Sequence, residues 1–327
     1  NYPAAMGTRK IAPALAAGCP VIVKPASETP LTMLALMPLL EEAGVPPGVV
    51  GVLPSRRTGP LVDRLLHDPR VRVVSFTGST AVGRTLLRAA ADQVLKPAME
   101  LGGNAPVLVL CDADLETAVQ GTLLAKMRNL GEACTAANRI YVHESLKDAF
   151  AARLAEAMGR LRVGNGLEEG VDVGPLVNAD TRDKVAAFVD DAVAKGARLL
   201  LGGKRPEGRG FFYPPTVLAD VPDDALCLRD EIFGPVAALQ GFADEEEAIA
   251  RANDTEYGLV AYVFTEDLRR GLGVAERLDF GMVGLNRGLV SDPAAPFGGM
   301  KQSGLGREGG REGMREFQET QYVSVAW

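Results

Sequence analysis

Histidine is almost missing from this chain: 327 residues contain only His67 and His143. That argues against a Ser-His-Asp hydrolase and against a histidine-ligated zinc site. Cysteine is sparse too. Cys19, Cys111, Cys134 and Cys227 are widely scattered, with no CxxC and no Cys/His metal spacing, so reduced cysteines in a cytoplasmic enzyme fit best. No apolar run approaches the roughly 20 residues that span a bilayer. Basic runs and aromatic-basic interleaving are absent, and 35 Lys and Arg against 42 Asp and Glu leave a net charge of −7. Neither nucleic acid nor an anionic membrane surface is an expected partner. Internal repeats and low-complexity segments are also lacking. The opening Asn1-Tyr2-Pro3 is neither an initiator methionine nor the charged start of a signal sequence. It reads as the middle of a longer protein, with a segment expected upstream.

What is present is an ordinary globular composition, 47% apolar and 24% charged, in a chain long enough for two domains or one large one. Short β-branched runs alternate with helical stretches. Pro20–Lys24, Val49–Leu53 and Val71–Phe76 read as buried strands, and Leu31–Glu42, Leu61–Leu66 and Ala81–Asp92 as helices. After Gly102-Gly103 the alternation resumes. Strands are expected at Pro106–Leu110, Arg139–Val142, Arg198–Leu201 and Val260–Phe264, and helices at Leu115–Met127, Ser145–Leu161, Thr181–Ala194 and Glu245–Ala252. Strand-helix-strand order with continuous apolar strands argues for α/β domains built on parallel sheets. The tail Gln321–Trp327 alternates as an exposed strand would, able to pair with another subunit.

Three places offer chemistry. Cys134 lies in Gly131-Glu132-Ala133-Cys134-Thr135, between a helix and a strand. Taken alone, such a cysteine is more often a small buried hydrophobe than a nucleophile. Glu100 closes an apolar stretch that ends at Gly102-Gly103. Burial raises a carboxyl pKa toward the range of a general base, with a salt-bridged or capping glutamate as the alternative. The turn Phe76-Thr77-Gly78-Ser79-Thr80 leads from strand to helix, and its small residues let backbone N–H groups approach a phosphate. By itself that turn is a weak signal, because many strand-to-helix turns bind nothing.

Together these pieces carry a resemblance to the aldehyde dehydrogenase superfamily over essentially the whole length. The matching stretches are Asn1-Tyr2-Pro3, Pro13–Gly18, Val23-Lys24-Pro25, Phe76–Thr80, Glu100–Asn104, and Gly131–Cys134 with Arg139. They continue with Glu231–Pro235, Pro296–Gly299, Ser303-Gly304 and Gly306-Arg307-Glu308, in the family's order and at its spacing. The resemblance implies an α/β fold with a Rossmann-type cofactor domain over 1–101, incomplete at its start, and a second α/β catalytic domain over 102–308. A C-terminal arm over 309–327 would return to the cofactor domain and serve oligomerisation, giving a homodimer or homotetramer in the complete protein.

Carried over residue by residue, the resemblance makes Cys134 the nucleophile that forms a thiohemiacetal with an aldehyde. The side-chain amide of Asn1 and the Cys134 N–H would hold the oxyanion. After hydride transfer, Glu100 would activate the water that hydrolyses the thioester. Lys24 would reach the adenosine ribose, Thr77, Gly78 and Ser79 the pyrophosphate, and Glu231 and Phe233 the nicotinamide ribose. NAD-preferring relatives often carry a glutamate where Ser27 stands, so NADP is favoured, with NAD possible. Within the family the chain most resembles succinate-semialdehyde dehydrogenases. Arg9, Arg128 and Ser291 would clamp the far carboxylate of the substrate, since guanidinium binds carboxylate bidentately. Glutarate semialdehyde would suit the same clamp.

Three departures from the family pattern stand out. Glu132 replaces a usual glutamine, and pointing inward it would raise the Cys134 pKa. Ala136 stands where some succinate-semialdehyde dehydrogenases have a second cysteine, which excludes a disulfide switch with that neighbour. The segment before Asn1, with its usual tryptophan, is absent, and a catalytically impaired fragment that only binds nucleotide is the alternative this raises. A CoA-acylating enzyme is a further alternative, against which Glu100 argues, because acyl transfer to a thiol needs no hydrolytic base.

Overall fold

The computed structural model describes all 327 residues, Asn1–Trp327. The first stretch runs α1 (Pro3–Ala16), β1 (Val21–Val23), α2 (Pro30–Glu42), β2 (Val50–Val52), α3 (Thr58–Leu66), β3 (Val73–Thr77), α4 (Thr80–Ala91) and β4 (Lys96–Glu100). Next come β5 (Ala105–Val109), α5 (Leu115–Met127), β6 (Ala137–His143), α6 (Lys147–Gly159), α7 (Ala179–Ala194), β7 (Arg198–Leu201), β8 (Thr216–Ala219) and the short α8 (Leu226–Arg229). The chain closes with β9 (Val236–Phe242), α9 (Glu245–Asn253), β10 (Val260–Phe264), α10 (Leu268–Glu276), β11 (Met282–Leu285), β12 (Gly304–Leu305) and α11 (Gly310–Arg315). No helix is long and apolar enough to cross a membrane.

Two compact units result. The first comprises residues 1–101, 291–298 and 304–327, and the second 102–290 and 299–303. Segments 291–298 and 304–308, which the sequence reading placed with the second domain, therefore pack with the first unit. The reason is local: Gly304 and Leu305 pair antiparallel with Glu100 and Met99, which ties β12 to β4.

Unit 1 is built on two small sheets. β1 and β2 pair in parallel, and β4 is sandwiched between parallel β3 and antiparallel β12. Its apolar clusters are small: Ile11, Met33 and Val50 in one, Leu66, Ala90 and Leu95 in the other. Residues 3–16, which carry no strong periodic signal, form α1. Pro3 occupies its first turn, where no intrahelical N–H is needed, and Pro13 lies inside it. The tail Gln321–Trp327 is exposed and makes no ladder within the chain, so a strand there needs a partner from outside it.

Unit 2 holds one seven-stranded sheet in the order β11-β10-β5-β6-β9-β8-β7, parallel except for β7 against β8. Helices cover it, and the large core clusters lie among Val107, Ile140, Phe150, Leu154 and Tyr262, and among Val185, Val189, Leu218, Ile232 and Val236. β5 and β10 are buried at every position, which is why they read as continuous apolar runs without alternation.

Candidate functional site

Glu100 is the last residue of β4, flanked in register by Thr77 of β3 and Gly304 of β12. Only 4% of it is exposed, and its Oε2 has no hydrogen-bond partner. Burial pushes its carboxyl up to about 9, and the nearby Glu308 anion adds to the rise, while Lys10, Arg307 and Arg9 pull the other way. Lys10 is itself committed. Its Nζ donates to Thr77 Oγ1 and to Glu308 Oε1, each at 2.5 Å, and the second Glu308 oxygen is buried without a partner. The sequence reading gave Lys10 and Glu308 no role. A usable signal was there for Glu308: a charged residue directly after Gly306-Arg307 in a glycine-rich segment otherwise built for close packing.

Also in unit 1, Arg9 Nη2 donates to Ser291 Oγ at 2.7 Å, and the guanidinium lies 4.4 Å from the centre of the Phe297 ring. Two of the three expected clamp residues, 282 positions apart in sequence, are thus in contact. Arg128 belongs to unit 2, where its Nη2 donates to Thr135 Oγ1 at 3.1 Å.

The Cys134 loop of unit 2 is held from several sides. α5 ends at Met127, and the chain then passes through Asn129 and Leu130 at positive φ. Such backbone is costly for non-glycine residues and persists only where its surroundings enforce it. Tyr262, buried on β10, donates its hydroxyl to the Thr135 carbonyl at 2.8 Å. Gly103 approaches from another side: a Cβ there would stand 2.2 Å from the Cys134 carbonyl oxygen, so only glycine fits. Cys134 itself is half-buried and in no disulfide. Glu132 is buried, and its Oε1 accepts the Val177 N–H at 3.0 Å; burial raises its pKa. Arg139, part of the family pattern, works structurally. It donates to the carbonyls of Asn104, Arg251 and Ala252 from within the core.

The residues expected to hold a dinucleotide are placed as follows. Lys24 is half-buried just after β1, and Ser27 is exposed with its Oγ 3.5 Å from the Ser55 carbonyl. Thr77 ends β3 with its hydroxyl taken by Lys10, and the Gly78 N–H donates to the Glu100 carbonyl at 3.0 Å. Ser79 caps α4 by accepting the Val82 N–H. Any N–H groups offered to a phosphate are therefore those of the first turn of α4 rather than that of Gly78. In unit 2 the Glu231 Oε1 accepts the Gly103 N–H at 3.2 Å, the Glu231 carbonyl accepts from Lys184, and Phe233 sits at φ 54°. A carboxylate anchored through one oxygen in unit 2, and a helix start of small residues in unit 1, fit the hydroxyl and phosphate chemistry of a dinucleotide. Asn1 is exposed ahead of α1.

Two α/β units that offer dinucleotide-type donors, one of them carrying a half-buried cysteine, fit the class of nucleotide-dependent oxidoreductases. The particular family follows by comparison: the chain belongs to the aldehyde dehydrogenase family, whose model matches residues 1–323. It is 53% identical to a succinate-semialdehyde dehydrogenase of Paenarthrobacter nicotinovorans over 100% of this chain and 72% of that protein. A glutarate-semialdehyde dehydrogenase of Pseudomonas putida is 49% identical over 100% of this chain and 67% of its own length. Among solved structures, an NADP-dependent enzyme of Escherichia coli superposes with a TM-score of 0.98 at 48% identity, covering 99% of this chain and 67% of that one. The chain spans 61–72% of the length of the first curated relatives it matches. An NAD(P)+-linked aldehyde dehydrogenase of semialdehyde type, as the sequence led us to expect, agrees with these relatives.

Proposed function

We propose that the complete protein oxidises a short semialdehyde, succinic semialdehyde first among them, to the corresponding carboxylate. Cys134 attacks the aldehyde carbon, and the oxyanion of the thiohemiacetal is stabilised by the Asn1 amide and the Cys134 N–H. A bound nicotinamide dinucleotide supplies the hydride acceptor. Glu100 then takes a proton from the water that cleaves the Cys134 thioester. Its unpartnered oxygen supports this role, since a buried carboxylate without a fixed donor is available to a water proton. Lys24, Ser79 and Glu231 hold the dinucleotide, with Thr77 and Gly78 shaping the turn before α4 and Phe233 packing by Glu231. NADP+ is the favoured form. Ser27 is a neutral donor beside Ser55, and exposed Arg56 and Arg57 follow within two residues, a setting that tolerates a 2′-phosphate. The protein works in the cytoplasm, where a nucleophilic thiol stays reduced, and associates through its C-terminal tail.

The observation that carries the substrate assignment is the Arg9–Ser291 pair at 2.7 Å, a guanidinium and a hydroxyl joined across 282 residues. A guanidinium and a hydroxyl held together in this way suit a substrate carboxylate. Glutarate semialdehyde is the second reading, favoured by the relative of that name. The decisive assay follows reduction of NADP+, then NAD+, by the purified protein with the four- and five-carbon semialdehydes, using Cys134→Ala as the blank. Expected is Cys134-dependent reduction, faster with succinic semialdehyde and with NADP+. Folded protein that binds nucleotide yet gives a flat trace with both substrates would refute the assignment. Arg9→Ala should raise KM for succinic semialdehyde on the order of tenfold, the worth of one charge-assisted contact, and leave an uncharged aldehyde nearly unchanged. An equal rise for both would remove Arg9 from the clamp.

A further inference from the structure

Lys126 is a fully buried lysine that plays no part in the chemistry described above, 0% exposed near the end of α5. Lysine is almost never buried to this degree without a partner. Its Nζ donates to Asn138 Oδ1 of β6 at 3.1 Å and to the Gly234 carbonyl at 3.2 Å. Gly234 lies in the turn Glu231-Ile232-Phe233-Gly234, and the same carbonyl abuts Gly131 of the Cys134 loop. A Cβ on Gly131, whose φ is +74°, would stand 2.2 Å from it. One carbonyl is therefore clamped between a lysine from the core and a glycine of the nucleophile loop. The Glu231 carboxylate is the charge that Lys126 faces most strongly.

We propose that Lys126 is a positioning residue for the nicotinamide-ribose end of the dinucleotide site. It fixes the Glu231–Gly234 turn through the Gly234 carbonyl and supplies the buried positive charge opposite the Glu231 carboxylate. The proposal rests on the reading that Glu231 accepts from ribose hydroxyls. The groups around the pair are few. Lys184 of α7 and the Gly103 N–H also face Glu231, and the Cys227 thiol faces Lys126. Burial holds that thiol up at about 12, so it is neutral over the working range. Burial also pushes Glu231 up to about 7, with the Gly103 hydrogen bond and the Lys184 and Lys126 charges opposing. Burial likewise drives Lys126 down, with Glu231 opposing. Each charge thus opposes the neutralisation of the other, and loss of the lysine charge leaves the carboxylate protonated over a wider pH range.

The test is the dissociation constant of NADP+ and of NAD+ by titration calorimetry from pH 6 to 9.5. NAD+ is included because it lacks a 2′-phosphate that itself titrates near the low end. In the wild type, affinity should fall as pH drops through the Glu231 transition, and Glu231→Gln should weaken binding and flatten that limb. Lys126→Met should move the midpoint upward by about one pH unit, weakening binding severalfold at neutral pH and little at pH 9. Asn138→Asp keeps the volume of the core and neutralises Lys126 from its other side, so the same upward shift is expected even where the methionine variant fails to fold. Curves that keep the wild-type midpoint, or a loss equal at every pH, overturn the inference while a weakened Glu231→Gln leaves the ribose reading intact. Unchanged binding in Glu231→Gln overturns the ribose reading itself and the proposal with it.

Discussion

The two units place their reactive groups by different means. In unit 2 the Cys134 loop grows from a continuous seven-stranded sheet with large apolar clusters, and Thr135 and Cys134 are held by hydrogen bonds and close packing with no carboxylate among them: the Tyr262 hydroxyl, the Arg128 guanidinium and the contact with Gly103. In unit 1 Glu100 ends a strand of a three-stranded sheet, surrounded by charge: Glu308, Lys10, Arg307 and Arg9. A nucleophile needs placement, which packing supplies. A base needs a tuned proton affinity, which burial and neighbouring ions supply. The contrast therefore predicts that charge substitutions in unit 1 alter pH behaviour, whereas volume substitutions in unit 2 alter stability.

The largest effect expected is that of Glu100→Gln. Turnover should fall by roughly 10²- to 10⁴-fold, the worth of a positioned acid-base group. Yet about one equivalent of reduced nucleotide should still appear in a burst, because the thioester forms before the base is needed. Loss of the burst as well would move Glu100 to an earlier step. Stability provides a second readout. With its pKa raised from about 4.5 to about 9, the folded chain keeps a proton that the unfolded chain releases across that window. Stability therefore falls as pH rises from about 4.5 to 9, by up to about 1.4 kcal/mol per pH unit, and glutamine removes that loss. Urea midpoints of Glu100→Gln and wild type should diverge between pH 6.5 and 9, the variant being the more stable; parallel midpoints would mean Glu100 is not held protonated.

Next in size is the packing contrast. Leu154 of α6 is fully buried in the large cluster with Ile140, Phe150 and Val217, whereas Leu66 of α3 is buried in a small one with Ala90 and Leu95. Leu154→Ala should cost about 3–5 kcal/mol by chemical denaturation, and Leu66→Ala nearer 2, because a thin cluster with exposed neighbours relaxes into the gap. Equal costs would show that the small sheets of unit 1 are packed as rigidly as the large one.

Most of this organisation was legible in the sequence where one rule decided. α5, β7 and β10 have the bounds that periodicity and apolar runs suggested, 115–127, 198–201 and 260–264. Elements governed by competing rules were not. β4 carries Pro97 inside and charged residues at both ends, so no strand signal survives, although pairing on both sides buries its last three residues. β12 is two residues long and exists only because β4 lies beside it. α1 is punctuated by two prolines, and β9 is an apolar run that reads equally as helix or strand. The same holds for the reactive groups. Cys134 and Glu100 stand out through their glycine-flanked settings. Lys10, Glu308 and Lys126 do not, because their importance lies in contacts with residues 298, 67 and 108 positions away.

The smallest expected effect is the sharpest test of the electrostatic half of the comparison. Glu308 is the ion that adds most to the raised pKa of Glu100 after burial itself. Glu308→Gln keeps an oxygen for Lys10 and removes the charge, leaving Lys10, Arg307 and Arg9 to act on Glu100 with less opposition. The rising alkaline limb of kcat, set by ionisation of Glu100, should then move to lower pH by roughly one unit. KM for the aldehyde should change little, since no part of the clamp is touched. The direction is what matters, because loss of the Lys10 contact alone would disturb α1 and depress kcat at every pH without moving the limb. A shift to higher pH would mean that Lys10, freed from Glu308, turns away from Glu100, and that the ion pair, not burial, holds this corner of unit 1 together.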